Sequence, residues 1–477
     1  MSVSLFSSIA ELITAFQKKE ASPLEILNLH LQRAKNLHSR LNAFVHLDAE
    51  NARKAATDLE KSAPLSAARP LHGIPVSIKS CIDVAGWACP AGSLLRKDYV
   101  PAQDAPLVAR LKSAGAILLG NTNTPEFLMN YETNNLVSGK TSNPWDLAKS
   151  AGGSSGGESA AIASGCSVAG VGSDGGGSVR VPAHFCGICA LKPTPGRVPS
   201  TGHFPAGAGA FSWLGAVGPM ARTVADVRAL FAVMAGSDPG DALSAPIASR
   251  NFSPQQLRGL RVGILQSDAL GHATVETTAA VQKAAASLQH QSFAVELFPL
   301  HGLDRAIELW WFFFGPVIAH LFRQSFANLE VAREAEISPM FREYLALADQ
   351  PSITPAITLD QFMSACAARD LLRAELIRQM RDVPILLSPV STAPAFAHGQ
   401  GTWRPGDPHC YRDTMRYSQW LNLAGFPGAS VPLGFSGDGL PIGVQIIGRP
   451  HEDELVLAVA ECIEQARGPW QAPPNLA

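Results

Sequence analysis

A chain of 477 residues, 46% of them hydrophobic, is long enough to bury a large core, either as one big α/β domain or as two or three smaller ones. Lys and Arg number 38 against 40 Asp and Glu, and a formal net charge of -2 argues against nucleic acid or anionic membrane as a partner and for a small, weakly charged ligand. The eight cysteines are scattered through apolar contexts, the usage of reduced, buried thiols in a cytoplasmic protein.

The opening MSVSLFSSIAELITAFQKKE lacks the charged start, long apolar stretch and small-residue cleavage site of a signal peptide. Residues 5–58 space their apolar side chains for helices, and Ser22 with Pro23 marks a helix start. From residue 71 the period shortens. GIPVSIKSCIDVAG and AGAILLGNT are β-branched runs closed by glycine and predict strands, with VARLKSAG a helix between them, the alternation of an α/β fold. SGKTS at 138–142 looks like the end of a phosphate loop, but the glycine required five residues before Gly139 is Asn134, so the motif fails.

Residues 150–180, SAGGSSGGESAAIASGCSVAGVGSDGGGSVR, have the composition of a flexible linker, yet they contain the apolar run AAIASGCSVAGV and sit between folded segments. Gly170, Gly172 and Gly175 spell GxGxxG without the helix opening and the acidic residue about 20 positions on that a dinucleotide site needs. Gly152, Ser154 and Gly156 spell GxSxG, but NPWDLAKSAG before them is unlike the buried strand that precedes a nucleophile elbow. An ordinary Ser-His-Asp hydrolase therefore stays a minor alternative. Cys186 and Cys189 form a CxxC with no second pair or histidine set to complete a zinc site.

Beyond this stretch, SDPGDALSAPIASRNFSPQQL at 237–257 predicts a connection and RVGILQ a strand. Residues 304–381 read as helical. The most apolar part, LWWFFFGPVIAHLF at 309–322, is too short to span a bilayer and carries Gly315 and Pro316. Its aromatic run Trp310, Trp311, Phe312, Phe313 and Phe314 reads equally as a pocket wall or as core packing. DVPILLSPV, GASVPLGF and PIGVQIIG return to strands, and EDELVLAVAECIEQA is an amphipathic helix. The expected architecture is one α/β domain over 1–477: N-terminal helices (1–65), a core (66–236), and the remainder of the sheet (237–477) with a helical insertion at 300–380.

The chemistry concentrates in GSDGGGSVR, 172–180. Consecutive glycines let backbone N–H groups converge on an anion, as the oxyanion of an acyl-transfer intermediate requires, and Ser178 lies beside that point as a candidate nucleophile. A serine needs a base. His184 is the histidine nearest in sequence and packs or reacts with equal ease. Lys79 serves if burial makes its amine neutral. On the predicted strand Val76, Ile78, Ile82 and Val84 take one face and Ser77, Lys79, Cys81 and Asp83 the other, and periodicity leaves open whether that second face is wet.

Taken together, LHGIPVSIKSCIDVAG, NTNTPEF, TSNPWDLAKSAGGSSGGESAA, VGSDGGGSVRVPAHFCGICALKPTPGRVP and GLPIGVQIIG closely resemble the amidase signature hydrolases, over nearly the whole chain. The resemblance implies the amidase signature fold, a large mixed β-sheet sandwiched between helices, and a serine hydrolase with a Ser-Ser-Lys triad. By motif position Ser178 is the nucleophile, Ser154 the bridging serine after a cis peptide bond from Gly153, and Lys79 the base. The resemblance also implies an oxyanion hole from the amides of Gly175, Gly176, Gly177 and Ser178, support from Ser155, Ser173, Asp174 and Arg180, and no metal or organic cofactor.

The implied activity is hydrolysis of small or aromatic amides, with esters and carbamates as chemical relatives, without nucleic acid or membrane; homodimers are common in the family. The glutaminase component of a tRNA-dependent amidotransferase shares the signature and is the main alternative. A non-catalytic ligand-binding pseudoenzyme is a third, set against the filled triad positions. Ser80, the run Ala88, Cys89 and Pro90, and Ala190 depart from the family pattern and bear on substrate preference.

Overall fold

The computed structural model describes residues 3–62, 66, 68–326, 334–350, 357–474 and 476. The N-terminal periodicity forms helices at Ile9–Gln17, Pro23–Leu41 and Ala49–Ser62. Ser8 with Glu11 and Ser22 with Glu25 begin the first two as capping boxes, each pair satisfying backbone N–H groups that a helix start leaves without partners. The helical reading of 5–58 missed a strand, β1 (Phe44–Leu47), which is too short to impose its own period.

The remaining strands are β2 (Pro75–Lys79), β3 (Ile117–Thr122), β4 (Ala169–Asp174), β5 (Cys189–Lys192), β6 (Ala216–Ala221), β7 (Arg261–Gln266), β8 (Ala294–Pro299), β9 (Ile385–Pro389), β10 (Gly428–Phe435) and β11 (Pro441–Gly448). They join in one mixed 11-stranded sheet in the order β1-β3-β2-β4-β6-β5-β10-β11-β9-β7-β8. β2 runs parallel to both β3 and β4, and β7 parallel to β8 and β9; the other pairings are antiparallel.

Side chains alternate across this sheet into cores on both sides. Leu118 joins the larger hydrophobic cluster, with Val76, Ile78 and Val171, while Ile117 and Leu119 join a second cluster with Ala160, Ile162 and Met220. The helix Gly156–Ala163 packs on β2, β3, β4 and β6, and the C-terminal helix Asp453–Arg467 covers β10 and β11. Every residue of β2 is buried, so the face carrying Ser77 and Lys79 is not wet.

The predicted connection runs irregularly to a short helix at Pro254–Leu257. The helical excursion contains Leu303–Phe312, a π-helical turn Phe313–Val317 around Pro316, Ile318–Ser325, Pro339–Ala348 and Leu359–Gln379. Residues 327–333 and 351–356 of the expected excursion lie outside the described residues. No helix is long and apolar enough to cross a membrane among the described residues.

Candidate active site

Because β2 and β4 are parallel neighbours, their C-terminal ends meet at the same edge of the sheet. Lys79 ends β2, and Ser173 and Asp174 end β4. Lys79 Nζ lies 2.7 Å from Ser154 Oγ, 3.1 Å from Ser173 Oγ and 3.3 Å from the Ser173 carbonyl oxygen. The amine is fully buried. Burial pulls it from 10.5 down to about 8, against the opposing pull of Cys81, Asp174 and Glu158.

Apart from half-buried Gly175, every residue from Ser150 to Arg180 is buried, which rules out a linker. The Gly153–Ser154 peptide is cis. Thr124 Oγ1 donates to the Ser154 carbonyl at 2.8 Å, Thr133 Oγ1 to the Gly152 carbonyl at 2.9 Å, and Ser155 N to the Ser178 carbonyl at 3.1 Å. Ser155 Oγ both accepts from Ser173 N and donates to Ser173 O, each at 3.3 Å, so it pins the loop to β4.

Asp174 organises the glycine turn. Its carboxylate accepts from Gly177 N at 2.7 Å, from Val179 N at 3.0 Å, and from Arg180 Nη2 and Nε at 2.9 and 3.0 Å, with both side chains fully buried. Burial alone would raise this carboxyl, but the Arg180 guanidinium and these donors hold it well below the usual carboxylate range. One expectation is corrected here. The Gly177 amide is engaged by Asp174 and is not free for an oxyanion.

The amides of Gly175, Gly176 and Ser178 make no hydrogen bond among the described residues, which leaves these three as the candidate donors of the turn. Two aromatic residues fix the turn from behind: Trp310 Nε1 donates to the Gly175 carbonyl at 3.0 Å and Tyr131 Oη to the Gly176 carbonyl at 2.6 Å. A trans peptide points its N–H opposite its C=O, so holding the Gly175 carbonyl aims the Gly176 amide the other way. A Cβ on Gly176 would stand 2.5 Å from Trp310 Cζ2, and Gly177 has φ +126°; both positions require glycine.

Ser154 and Ser178 line one cavity of about 30 Å³ with Leu128, Met129, Phe211, Val217 and Phe314. The link from Lys79 to Ser154 is made, whereas no hydrogen bond joins the Ser154 and Ser178 hydroxyls among the described residues. Catalytic hydrogen bonds often close only once substrate is bound. Of the aromatic run, Phe314 reaches this cavity, and Trp310 stacks behind it with ring centroids 4.5 Å apart. Phe313 packs edge-on against Trp213, and Trp311 and Phe312 face a separate cavity.

His184 packs: its Nδ1 accepts from Gly443 N at 2.7 Å and its Nε2 meets the Ala393 carbonyl at 3.1 Å. Ser154 follows no strand, so GxSxG is not an elbow here, and Gly170 and Gly172 lie within β4. Cys186 Sγ and Cys189 Sγ are buried beside Ser159 Oγ and the Arg222 carbonyl. Sequence reasoning missed Glu158, Cys81 and His203. Glu158, on the helix after the serine loop, receives hydrogen bonds from Ser77 and Thr122, and burial pushes its carboxyl up to about 7. Strand period placed Cys81 on the face of Lys79 without giving it a role, and no periodic or motif signal marks Glu158 or His203, which approach it only through strand pairing and loop return.

The family model described as Amidase matches residues 25–457. The chain is 33% identical over 494 residues to a glutamyl-tRNA(Gln) amidotransferase component of Carboxydothermus hydrogenoformans, covering 99% of each chain. Among solved structures it resembles 6-aminohexanoate cyclic dimer hydrolase complexed with substrate (28% identity, TM-score 0.84, 99% of this chain and 100% of that one). It also resembles a structure described as a vestigial protein complex that reveals the origins of an s-triazine catabolic enzyme (29% identity, TM-score 0.86, 98% and 100%).

Asp174→Asn is expected to lower unfolding stability by about 3 to 5 kcal/mol, because it leaves the Arg180 guanidinium buried without a counter-charge. Denaturant titration of the two proteins checks this, a loss under about 1 kcal/mol counting against the assigned role of the pair.

Proposed function

The chain belongs to the amidase family, and from that premise we propose that it is a serine amidohydrolase that cleaves the C–N bond of small apolar or aromatic amides through an acyl-enzyme on Ser178. The observation that carries this reading is the fully buried Lys79 amine at 2.7 Å from Ser154 Oγ. Uncharged Lys79 takes a proton from Ser154 as Ser154 takes one from Ser178, and Ser178 Oγ adds to the carbonyl carbon. The carbonyl π electrons move to oxygen, which the Gly175, Gly176 and Ser178 amides receive. The intermediate collapses, the C–N bond breaks, and the amine leaves with the proton returned through Ser154. Water repeats the sequence on the ester and releases the acid. Each step uses groups of this chain, the substrate and one water.

The cavity walls support an uncharged substrate. Asp174 is the one charged residue among those that line the catalytic cavity, and Arg180 already balances it. An apolar cavity of about 550 Å³, walled by Phe204, Val317, Ile318, Leu321 and Phe322, shares Phe211 with the catalytic cavity and suits an alkyl or aryl group.

The curated relative's name favours a second reading, the glutaminase component of an amidotransferase, and whole-chain likeness weighs more for it than for a free-standing hydrolase. The cavity weighs the other way, since glutamine brings an ammonium and a carboxylate that each need a buried partner. Turnover of anilides or alkyl amides by the chain alone is expected. Activity confined to glutamine and to a partner-bound state would establish the second reading, and no acylation of the wild-type chain by any substrate would leave the pseudoenzyme.

Ser178→Ala should abolish labelling by a fluorophosphonate probe, read on a gel, and persistent labelling would reject this nucleophile. Lys79→Ala should lower kcat/KM about 100-fold to 10,000-fold. The base must be uncharged to work, so kcat/KM should rise with pH to a plateau above a midpoint near pH 8, falling about tenfold per unit below it. A profile flat from about pH 6 to 9 would contradict Lys79 as base.

A further inference from the structure

A chain of hydrogen-bonded groups, buried at Cys81 and Ser173 and half-buried at His203, runs from Lys79 away from Ser154 and ends on a backbone carbonyl, and its polarity can be read from that end. The Pro205 carbonyl only accepts, and His203 Nδ1 lies 2.8 Å from it, so Nδ1 carries the proton. Burial lowers the ring to about 4 and keeps it neutral, which leaves a lone pair on Nε2. Cys81 Sγ sits 3.5 Å from Nε2, so the thiol donates there. Its sulfur is then the acceptor for Ser173 Oγ at 3.7 Å. With its own proton directed at Cys81, Ser173 Oγ accepts an N–H from Lys79 at 3.1 Å, and the Ser173 carbonyl accepts another at 3.3 Å.

A neutral amine has two N–H bonds and one lone pair. With both N–H bonds held by Ser173, the lone pair is left facing Ser154 Oγ, 2.7 Å away. We propose that Cys81 and His203 are positioning residues that hold the Ser173 hydroxyl as an acceptor and thereby turn the Lys79 lone pair toward Ser154. This rests on the reading of Lys79 as the base. The other ionisable groups facing Lys79 are Asp174, paired with Arg180, and Glu158, held by Ser77 and Thr122. Neither contacts the amine in place of Ser173 or Ser154. Without the Cys81–His203 branch the Ser173 hydroxyl is free to rotate and donate to Lys79, which stabilises the neutral amine with its lone pair turned from Ser154.

The test is the pH profile of kcat/KM for Cys81→Ala, Cys81→Ser, His203→Phe and the Cys81→Ala/His203→Phe double variant, on the amide that the wild type turns over. Cys81→Ala and His203→Phe should each lower the plateau roughly tenfold and move the acid-limb midpoint down by about half a unit to one unit. Cys81→Ser, which keeps a donor and an acceptor, should recover most of both. The double variant should be no worse than either single, because a chain cut once transmits nothing further. Wild-type midpoints in both single variants, or additive losses in the double, would overturn the proposal. If Cys81→Ala does not fold, His203→Phe, which keeps the ring face stacked on Phe211, decides alone. The outcome is separable from the base assignment: Lys79→Ala tests that directly, and a large loss there with unshifted profiles here removes only the positioning role.

Discussion

An amine taken out of water next to hydroxyls, with no carboxylate in contact, is the constraint around which this molecule is organised. Lys79 ends a strand that has neighbours on both edges and cores on both faces, so its side chain has no route to solvent. Its hydrogen-bond partners are Ser154 Oγ, Ser173 Oγ and the Ser173 carbonyl, which satisfy the neutral amine as well as the ammonium. A touching carboxylate would hold the ammonium form, and the lowering by burial would be lost. Asp174 and Glu158 stand near enough to oppose that lowering and are each held by other groups.

Asp174 is the complementary case, a charge kept because it is fully paired. Its carboxylate gathers the Gly177 and Val179 amides at the far end of the glycine turn and the Arg180 guanidinium, and Arg180 extends to Gln445, Asn422 and the Ser418 carbonyl. This cluster ties the turn after β4 to the helix Arg180–Cys186, the helix Arg416–Ala424 and β11. Engaging the Gly177 amide and the Gly175 and Gly176 carbonyls leaves the remaining amides of the turn aimed in a set direction, the preorganisation that the proposed oxyanion role requires.

The two functional readings differ in charge rather than in mechanism. Both use the same nucleophile, relay and donor turn, and the carbonyl carbon reacts identically in a glutamine side chain and in an anilide. What separates them is the environment offered to the rest of the substrate. The lining around Ser178 is apolar and serine-rich with its one carboxylate neutralised, and this weighs against a zwitterion unless a partner or a moving segment supplies the missing charges.

How much was legible in the sequence follows from range. The strands at 75–79, 117–122, 261–266, 385–389, 428–435 and 441–448, the capped helix at 23–41 and the last helix all follow local patterns that survive folding. β1, β4, β5, β6 and β8 were missed: β1 and β5 have four residues, β4 and β6 carry glycine or proline, and β8 is a partly exposed edge strand, so pairing rather than propensity makes them strands. The candidate triad positions were readable as a motif, and the glycines of the donor turn as a need for close approach.

Which way β2 faces, that the Gly177 amide belongs to Asp174, that Phe314 rather than the whole aromatic run reaches the cavity, and that Cys81 and His203 stand behind Ser173 were decided only in three dimensions. Residue types and local period are properties of neighbouring positions. Burial and hydrogen-bond partnership are set by segments up to hundreds of residues apart, and no local pattern encodes them.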